Sequence, residues 1–409
     1  MNQNERGQLQ ALATRWMELA AQPIMAERKR QWTSLHDLHG ERPMVLFETA
    51  LLENYVAPAE LVCEDATLRG VELQLRRTIR HAEEVGDDIV VPPFFRVCWD
   101  IDWPDYGVQL RADHAVDGQG GEIGYIYNHP IKTPADVERL RPRNWHVNRE
   151  STRQRYEQLL DIFGDILPVV LHGTGGLFIG LTQDLFKLIG NDNLLAWTYD
   201  EPDALHAVMR YLCNDRLAYF DWLEREGLLG LNHTGWELVG SGSPGLTTGL
   251  PQSDYAGATR LRDVWVWMES QETTMISPRM FASFFLPYMA EVTARFGLIY
   301  YGCCEPVHDR WDTIIAQIPH IRSVSISPWC DQRQMAAKLG RNTVFSRKPR
   351  PWPISETVPD WDALRKDTDD TLAAARDCNL EFIYRDVYRI ADHERLKTWT
   401  DMVRSRVGA

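Results

Sequence analysis

Two adjacent cysteines and a carboxylate, Cys303, Cys304 and Glu305, close the stretch GLIYYGCCEP at 297–306. Thiols are soft ligands for zinc and, once ionised, nucleophiles. The competing role is structural, since free cysteine is among the most buried residue types. The apolar run 298–301 stopped by Gly302 reads as a buried strand and its exit turn. Successive strand residues point to opposite faces, so both thiols face one cavity only if the turn has already begun at Cys303.

The same arrangement, an apolar run followed by reactive groups, recurs along the chain. MVLF (44–47) ends at Glu48, LPVVL (167–171) at His172, LLGLN (228–232) at His233 and VWVWM (264–268) at Glu269. IRSVSI (321–326) ends at Ser327, Thr343–Phe345 at SRKP with Lys348, and LEFIY (380–384) at Arg385 and Asp386. Singly, a His or Glu after a strand is more often a hydrogen-bonding loop residue. Together they describe one reactive rim. Glu48, His172, His233, Glu269, Glu305 and His308 are the candidate acid–base residues. Trp236, Trp267 and Trp329 are candidates for an aromatic cage, against ordinary packing in a chain with 15 tryptophans. Ser327, Lys348, Arg385 and Asp386 are candidate substrate-binding groups; Arg347 and Arg350 are further cations for a carboxylate or phosphate.

The elements that position this rim alternate. Strand-like runs are separated by helical stretches such as 202–226, 278–296 (with Pro287 inside it, predicting a kink) and 360–376. DDIVVPPFF (87–95) is the expected second strand, residues 98–132 with glycine-rich DGQGGEIGY are expected as loops or a small hairpin, and Thr133–Leu140 as a capped helix. This rhythm predicts an α/β fold, a (β/α)8 TIM barrel over 41–409, whose strands open at their carboxyl ends on one active face. One candidate strand is surplus, LLGLN or VWVWM, because only the glycine-rich loop 240–261 separates them. Residues 1–40, with Leu9, Leu12, Trp16 and Leu19 at helical spacing, form an N-terminal helical extension expected outside the core. GSGSPG (240–245) has neither phosphate-loop nor dinucleotide spacing and is excluded as a nucleotide site.

Composition bounds the partners. A net charge of -14 argues against binding a nucleic-acid backbone. Seven unevenly spaced cysteines do not make a disulfide framework and point to a reducing cytoplasm. The polar start and the lack of a long apolar run predict neither a signal peptide nor a membrane span.

LPVVLHGTGGLF, ESQETTMISPRMFASFFLPYMAEV, GLIYYGCCEP, VSISPWCD and SRKP together resemble the uroporphyrinogen decarboxylase superfamily, over roughly residues 160–390. That superfamily includes zinc-dependent methyltransferases acting on methylated corrinoid proteins or small methyl donors. The resemblance implies the barrel, a carboxyl-end active site and, often, a homodimer. It departs from the decarboxylases at FETALLENY (47–55), where Glu48 and Glu53 replace an arginine-rich grip and would repel a polycarboxylate. In the methyltransferase branch a His-x-Cys pair and a later cysteine hold zinc. Cys303 falls on that cysteine, Tyr301 stands at the histidine, and Cys378 or Cys330 is the candidate later ligand, with Cys304, His233, His308 or Glu305 able to complete the set.

The leading expectation is therefore a methyltransferase-like enzyme. It would move a methyl group between a small methylated substrate and a corrinoid protein or thiol, with zinc bound by Cys303, Cys304 and Cys378. No DxHxxG occurs, so a corrinoid would arrive on a partner protein. The alternatives are a metal-free decarboxylase or other lyase acting on a small carboxylated substrate, and a non-catalytic ligand-binding barrel.

Overall fold

The computed structural model describes residues 2–116, 122–174 and 176–408. DGQGG (117–121) and Gly175 of the HGTGG turn lie outside the described residues. Six strands form one parallel sheet: β1 (Met44–Phe47), β4 (Trp265–Met268), β5 (Leu298–Tyr301), β6 (Ile321–Ile326), β7 (Val344–Arg347) and β8 (Asn379–Tyr384). Their spatial order is β1-β8-β7-β6-β5-β4. β2 (Phe95–Cys98) and β3 (Val169–His172) form a separate parallel pair. Strands β1, β5, β7 and β8 are buried along their whole length, as expected of parallel strands covered on both faces.

The fold is thus mixed α/β with a mostly parallel sheet, and a closed eight-stranded barrel is not among the described pairings. The expected second strand is one reason. DDIVV runs beside β1, yet it supplies side chains in place of a ladder. The Asp88 and Asp87 carboxylates accept from Val45 N and Phe47 N, each at 2.8 Å, and Asp88 N donates to Val45 O at 2.9 Å. The regular strand begins only at Phe95. LLGLN is the other reason: it makes a single bridge, Leu229 to Thr174, and is the surplus candidate. The Asn232 side chain takes the place of a ladder there, accepting from Trp265 N and donating to Trp265 O at 2.9 and 3.0 Å. Residues 177–179 cover the rest of the β4 edge through two backbone bonds to Trp267.

Asp88 is a structural keystone. Fully buried, it pairs with Arg42 at 2.8 Å and Arg404 at 2.7 Å. Burial opposes its ionisation, but the two guanidiniums hold its carboxyl below the usual range.

Glycine-rich 240–245 turns out to be interior. Residues 237–245 form a tight hairpin, with Val239 N donating to Ser243 O and Gly245 N to Glu237 O, and every residue from 239 to 247 is buried. It lies against inward-facing side chains of β4, β5 and β8. Trp265 Nε1 donates to Gly245 O at 2.9 Å, and Ser243 donates to Glu381 at 3.1 Å. The glycines follow from this closeness: a Cβ on Gly240 would sit 2.0 Å from the Tyr300 ring, and one on Gly242 2.6 Å from Ile383.

The N-terminal extension is likewise not peripheral. Helices α1 (Gln3–Ala20) and α2 (Pro23–His36) precede β1, and α2 delivers His36, fully buried, to the interior. His36 Nδ1 donates to Leu246 O at 2.9 Å, and its Nε2 lies 3.6 Å from Glu381. Asp37 accepts from the Thr247 and Thr248 hydroxyls. Helix α3 (Ala66–Glu84), capped by the Asp65 side chain on Leu68 N, packs on α1 through Leu68, Val71, Leu75 and Ile79. The predicted kink is present: the helical segment breaks at Phe285 into Pro278–Phe284 and Leu286–Thr293. Residues 112–116 and 122–127 pair as antiparallel strands, in line with the expected hairpin, and 134–139 form a short 3-10 helix. Among the described residues no helix is long and apolar enough to cross a membrane.

Candidate active site

The parallel sheet brings Glu48, Glu269, Cys303–Glu305, Ser327, Lys348 and Arg385–Asp386 to its carboxyl end, but these residues then divide. One group makes a connected cluster. Arg385 Nε lies 3.1 Å from Glu48 Oε2 and 3.3 Å from Asp386 Oδ1, and its Nη1 donates to Ser241 on the interior hairpin. Ser241 Oγ lies 3.7 Å from Cys303 Sγ, the two thiols are 3.6 Å apart, and Cys304 Sγ is 3.9 Å from Asp386 Oδ2. Gly302 makes this possible with φ of +93°, a conformation glycine tolerates best, so the chain turns before the cysteines. Cys303 is buried and Cys304 is exposed, which makes Cys304 the outward thiol. Its pKa is lowered because the Cys303 S–H donates to it, against the effect of burial; the Cys303 thiol is pushed far up by that same bond and by burial.

Beneath this cluster lies a buried polar chain. Lys348 Nζ and Tyr300 OH both donate to Ser346 Oγ, which donates to Glu381; Glu381 then reaches Ser243 and His36. Burial pushes Lys348 down to about 7, with Glu381 opposing, so much of the amine is neutral near pH 7. Burial also raises Glu48, with Arg385 opposing.

The other predicted residues take different positions. Glu305 is fully buried and accepts from Ser270 N and Cys303 N at 2.8 Å each, so it fixes the turn that presents the thiols. Glu269 is also buried; one oxygen accepts from Gln271 N, and burial beside Glu272 and Glu305 raises its pKa well above the usual value. Ser327 accepts from Trp329 N and, through its carbonyl, from Arg347. His308 sits outside the cluster, its Nδ1 accepting from Asp331 N at 3.3 Å. His233 is buried without a hydrogen-bond partner and burial lowers it to about 4, so it is neutral.

The three tryptophans do not form a cage. Trp236 packs edge-on to Trp32, Trp267 packs on Phe178 and donates to Gly302 O, and Trp329 stacks on Trp352 beside Arg350.

Zinc does not fit the predicted ligands. Cys378 lies at the amino end of β8, where its thiol faces Ala336 O, a full strand from Asp386. Tyr301 is fully buried with its hydroxyl 3.2 Å from Ser270 Oγ. Among the described residues no group of three His, Cys, Asp or Glu side chains is arranged to hold a metal.

A second cluster joins the predicted His172 to two residues that had no sequence signal, Arg96 and Glu237. His172 Nε2 and Arg96 Nη1 each lie 3.2 Å from Glu237 Oε1. Burial raises Glu237 to about 7, opposed by Arg96, and lowers His172. Arg96 falls inside an apolar run and Glu237 in a loop, so neither stood out. Nearby, a cavity of about 500 Å³ opens between the end of β1, α3 and the hairpin, with Glu48 in its wall.

No family model and no curated protein matches the chain. Among solved structures, a methyltransferase from Methanosarcina mazei aligns with a TM-score of 0.49 at 12% identity, covering 93% of this chain and 99% of that one.

Proposed function

We propose that the protein is a methyltransferase-like enzyme working at the Cys303–Cys304 mouth. The observation that carries this reading is the exposed Cys304 thiol, whose ionisation is favoured by the Cys303 S–H beside it. The Cys304 thiolate attacks the methyl carbon of a small methylated substrate, or of a methylated corrinoid brought by a partner protein. The S–C bond forms as the bond to the leaving atom breaks, and that atom keeps the electron pair. An incoming thiol substrate held in the same place is the alternative acceptor. Arg385, held by Glu48, Asp386 and Ser241, orients an anionic group of the substrate. The reading takes the strands of both parallel sheets as one (β/α)8-type ring, interrupted at 87–94 and 228–232, with its reactive residues at the carboxyl end.

The test is to incubate the full chain with methylcobalamin, a tetramethylammonium salt and dimethyl sulfide, then map methylation by peptide mass spectrometry. Methyl on Cys304, absent in Cys304→Ser and slower to appear in Cys303→Ser, is expected. No methylated thiol with any donor, on the protein or on an added thiol, refutes it.

One observation favours a second reading. Lys348, pushed down to about 7 and within the electrostatic reach of Arg385, suits a lyase that binds a carboxylated substrate at the arginine and uses a neutral amine. Carbon dioxide release lost in Lys348→Met but kept in Cys304→Ser would select it. Saturable ligand binding without turnover would select the non-catalytic barrel.

A further inference from the structure

The cavity beside β1 contains a cation without a counter-ion. Arg77, on the inner side of α3, lines it with Gln74, Gly70 and Glu48. Its Nη atoms reach the Ala50 and Leu52 carbonyls only at 3.3 and 3.4 Å, and its Nε is buried without a partner. Among the described residues no carboxylate forms an ion pair with Arg77, and burial alone lowers its pKa. A guanidinium taken partly out of water with only two long carbonyl contacts is costly, and a fork-shaped donor is best satisfied by a carboxylate. Arg96, the other cation in the wall, is already engaged by Glu237 and by Trp236 O.

The remaining wall includes the apolar side chains of Trp16, Phe94, Trp236, Leu73 and Leu238, with the polar Thr78 and His81 among them. A volume near 500 Å³ falls within the range of small-molecule sites. Of the mouth cluster, Glu48 alone lines this cavity; Cys303, Cys304, Lys348 and Arg385 do not.

We propose that this cavity is a binding site for a small aromatic carboxylate, its ring among the tryptophans and Phe94 and its carboxylate on Arg77. The site stands independently of methyl transfer at Cys304. Gly70 provides a way to close it. A Cβ there would meet nothing within 4 Å, so the side chain of Gly70→Phe starts into open space at the cavity's edge.

The experiment is calorimetric titration of the full chain with 4-methylbenzoate, 4-methylbenzamide and acetate. Saturable binding of 4-methylbenzoate is expected, with the amide and acetate at least tenfold weaker. Arg77→Gln should weaken 4-methylbenzoate binding ten- to a hundredfold, Arg77→Lys less, and Gly70→Phe should abolish it with an unchanged circular dichroism spectrum. Cys304→Ser should bind as wild type, which separates this site from the methyl-transfer reading. Absence of saturable 4-methylbenzoate binding, equal affinity for the neutral amide, or wild-type affinity in Gly70→Phe would overturn the proposal. Should Arg77→Gln fail to fold, Arg77→Lys and Gly70→Phe decide it alone.

Discussion

Adding one methyl group to Gly240 and to Gly70 should have opposite effects. At Gly240 the new Cβ would lie 2.0, 2.2 and 2.4 Å from three carbons of the Tyr300 ring. That ring cannot retreat cheaply: it is fully buried, and its hydroxyl is tied to Ser346 at 2.9 Å. The backbone at Gly240 is not in the left-handed region, so the cost comes from contact and not from dihedral strain. Overpacking of this kind costs about 1–3 kcal/mol. Gly240→Ala should sit at the upper end, because relieving the clash also moves Ser241 away from Arg385 and Cys303. At Gly70 the new Cβ meets nothing, and alanine is the better helix former by about 1 kcal/mol, so Gly70→Ala should be neutral to stabilising. The assay is urea unfolding followed by tryptophan fluorescence, comparing midpoints of the two variants with wild type. A Gly240→Ala midpoint equal to wild type would refute the interior placement of the hairpin. A drop in Gly70→Ala would refute the open space at α3.

Glu237 and Asp88 give two further expectations. Burial raises Glu237 from 4.5 to about 7, so between those values the unfolded chain ionises it while the folded chain keeps it protonated. Stability therefore falls as pH rises through that window, by about 3 kcal/mol for this one group at most. Glu237→Gln should remove that slope in urea melts at pH 5 and pH 8, and an unchanged slope counts against the buried neutral acid. Asp88→Asn strands Arg42 and Arg404 and weakens the acceptor for Val45 N. A loss of about 3–5 kcal/mol is expected for breaking such a buried pair, and a midpoint near wild type would contradict the keystone role.

Much of the architecture was legible because apolar runs and their terminators are local. The β4–β8 runs, the break near Pro287 and the gathering of polar strand ends all follow from short-range pattern. What escaped depends on which group satisfies a backbone amide. DDIVV has strand composition, but Asp87 and Asp88 offer their carboxylates to β1, and periodicity does not distinguish a ladder from a side-chain cap. LLGLN fails for the same reason at Asn232. GSGSPG reads as a loop by composition; its burial depends on glycines packed against Tyr300 and Ile383, residues distant in sequence. His36 gives no signal of its own in the sequence, because its partners Leu246 and Glu381 are distant in the chain. In the candidate site, the turn at Gly302 was readable, and the structure chose the outward thiol. Cys378 was misplaced because a cysteine preceding a strand occupies the end opposite to one that follows a strand.

The interior hairpin also constrains how the molecule assembles. Its partners are remote: Leu246 meets His36 across 210 residues, and Ser243 meets Glu381 across 138. It belongs to the chain between β3 and β4, so β4, β5 and β8 can reach their final spacing only with the hairpin already among them. Such non-local closure slows folding, since chain entropy is lost before contacts repay it. An incomplete chain ending before β8 would leave Ser243 and His36 without Glu381 and the hairpin open on one side. Helix α2, the interior hairpin and β8 therefore form a single latch that closes only when synthesis is nearly complete.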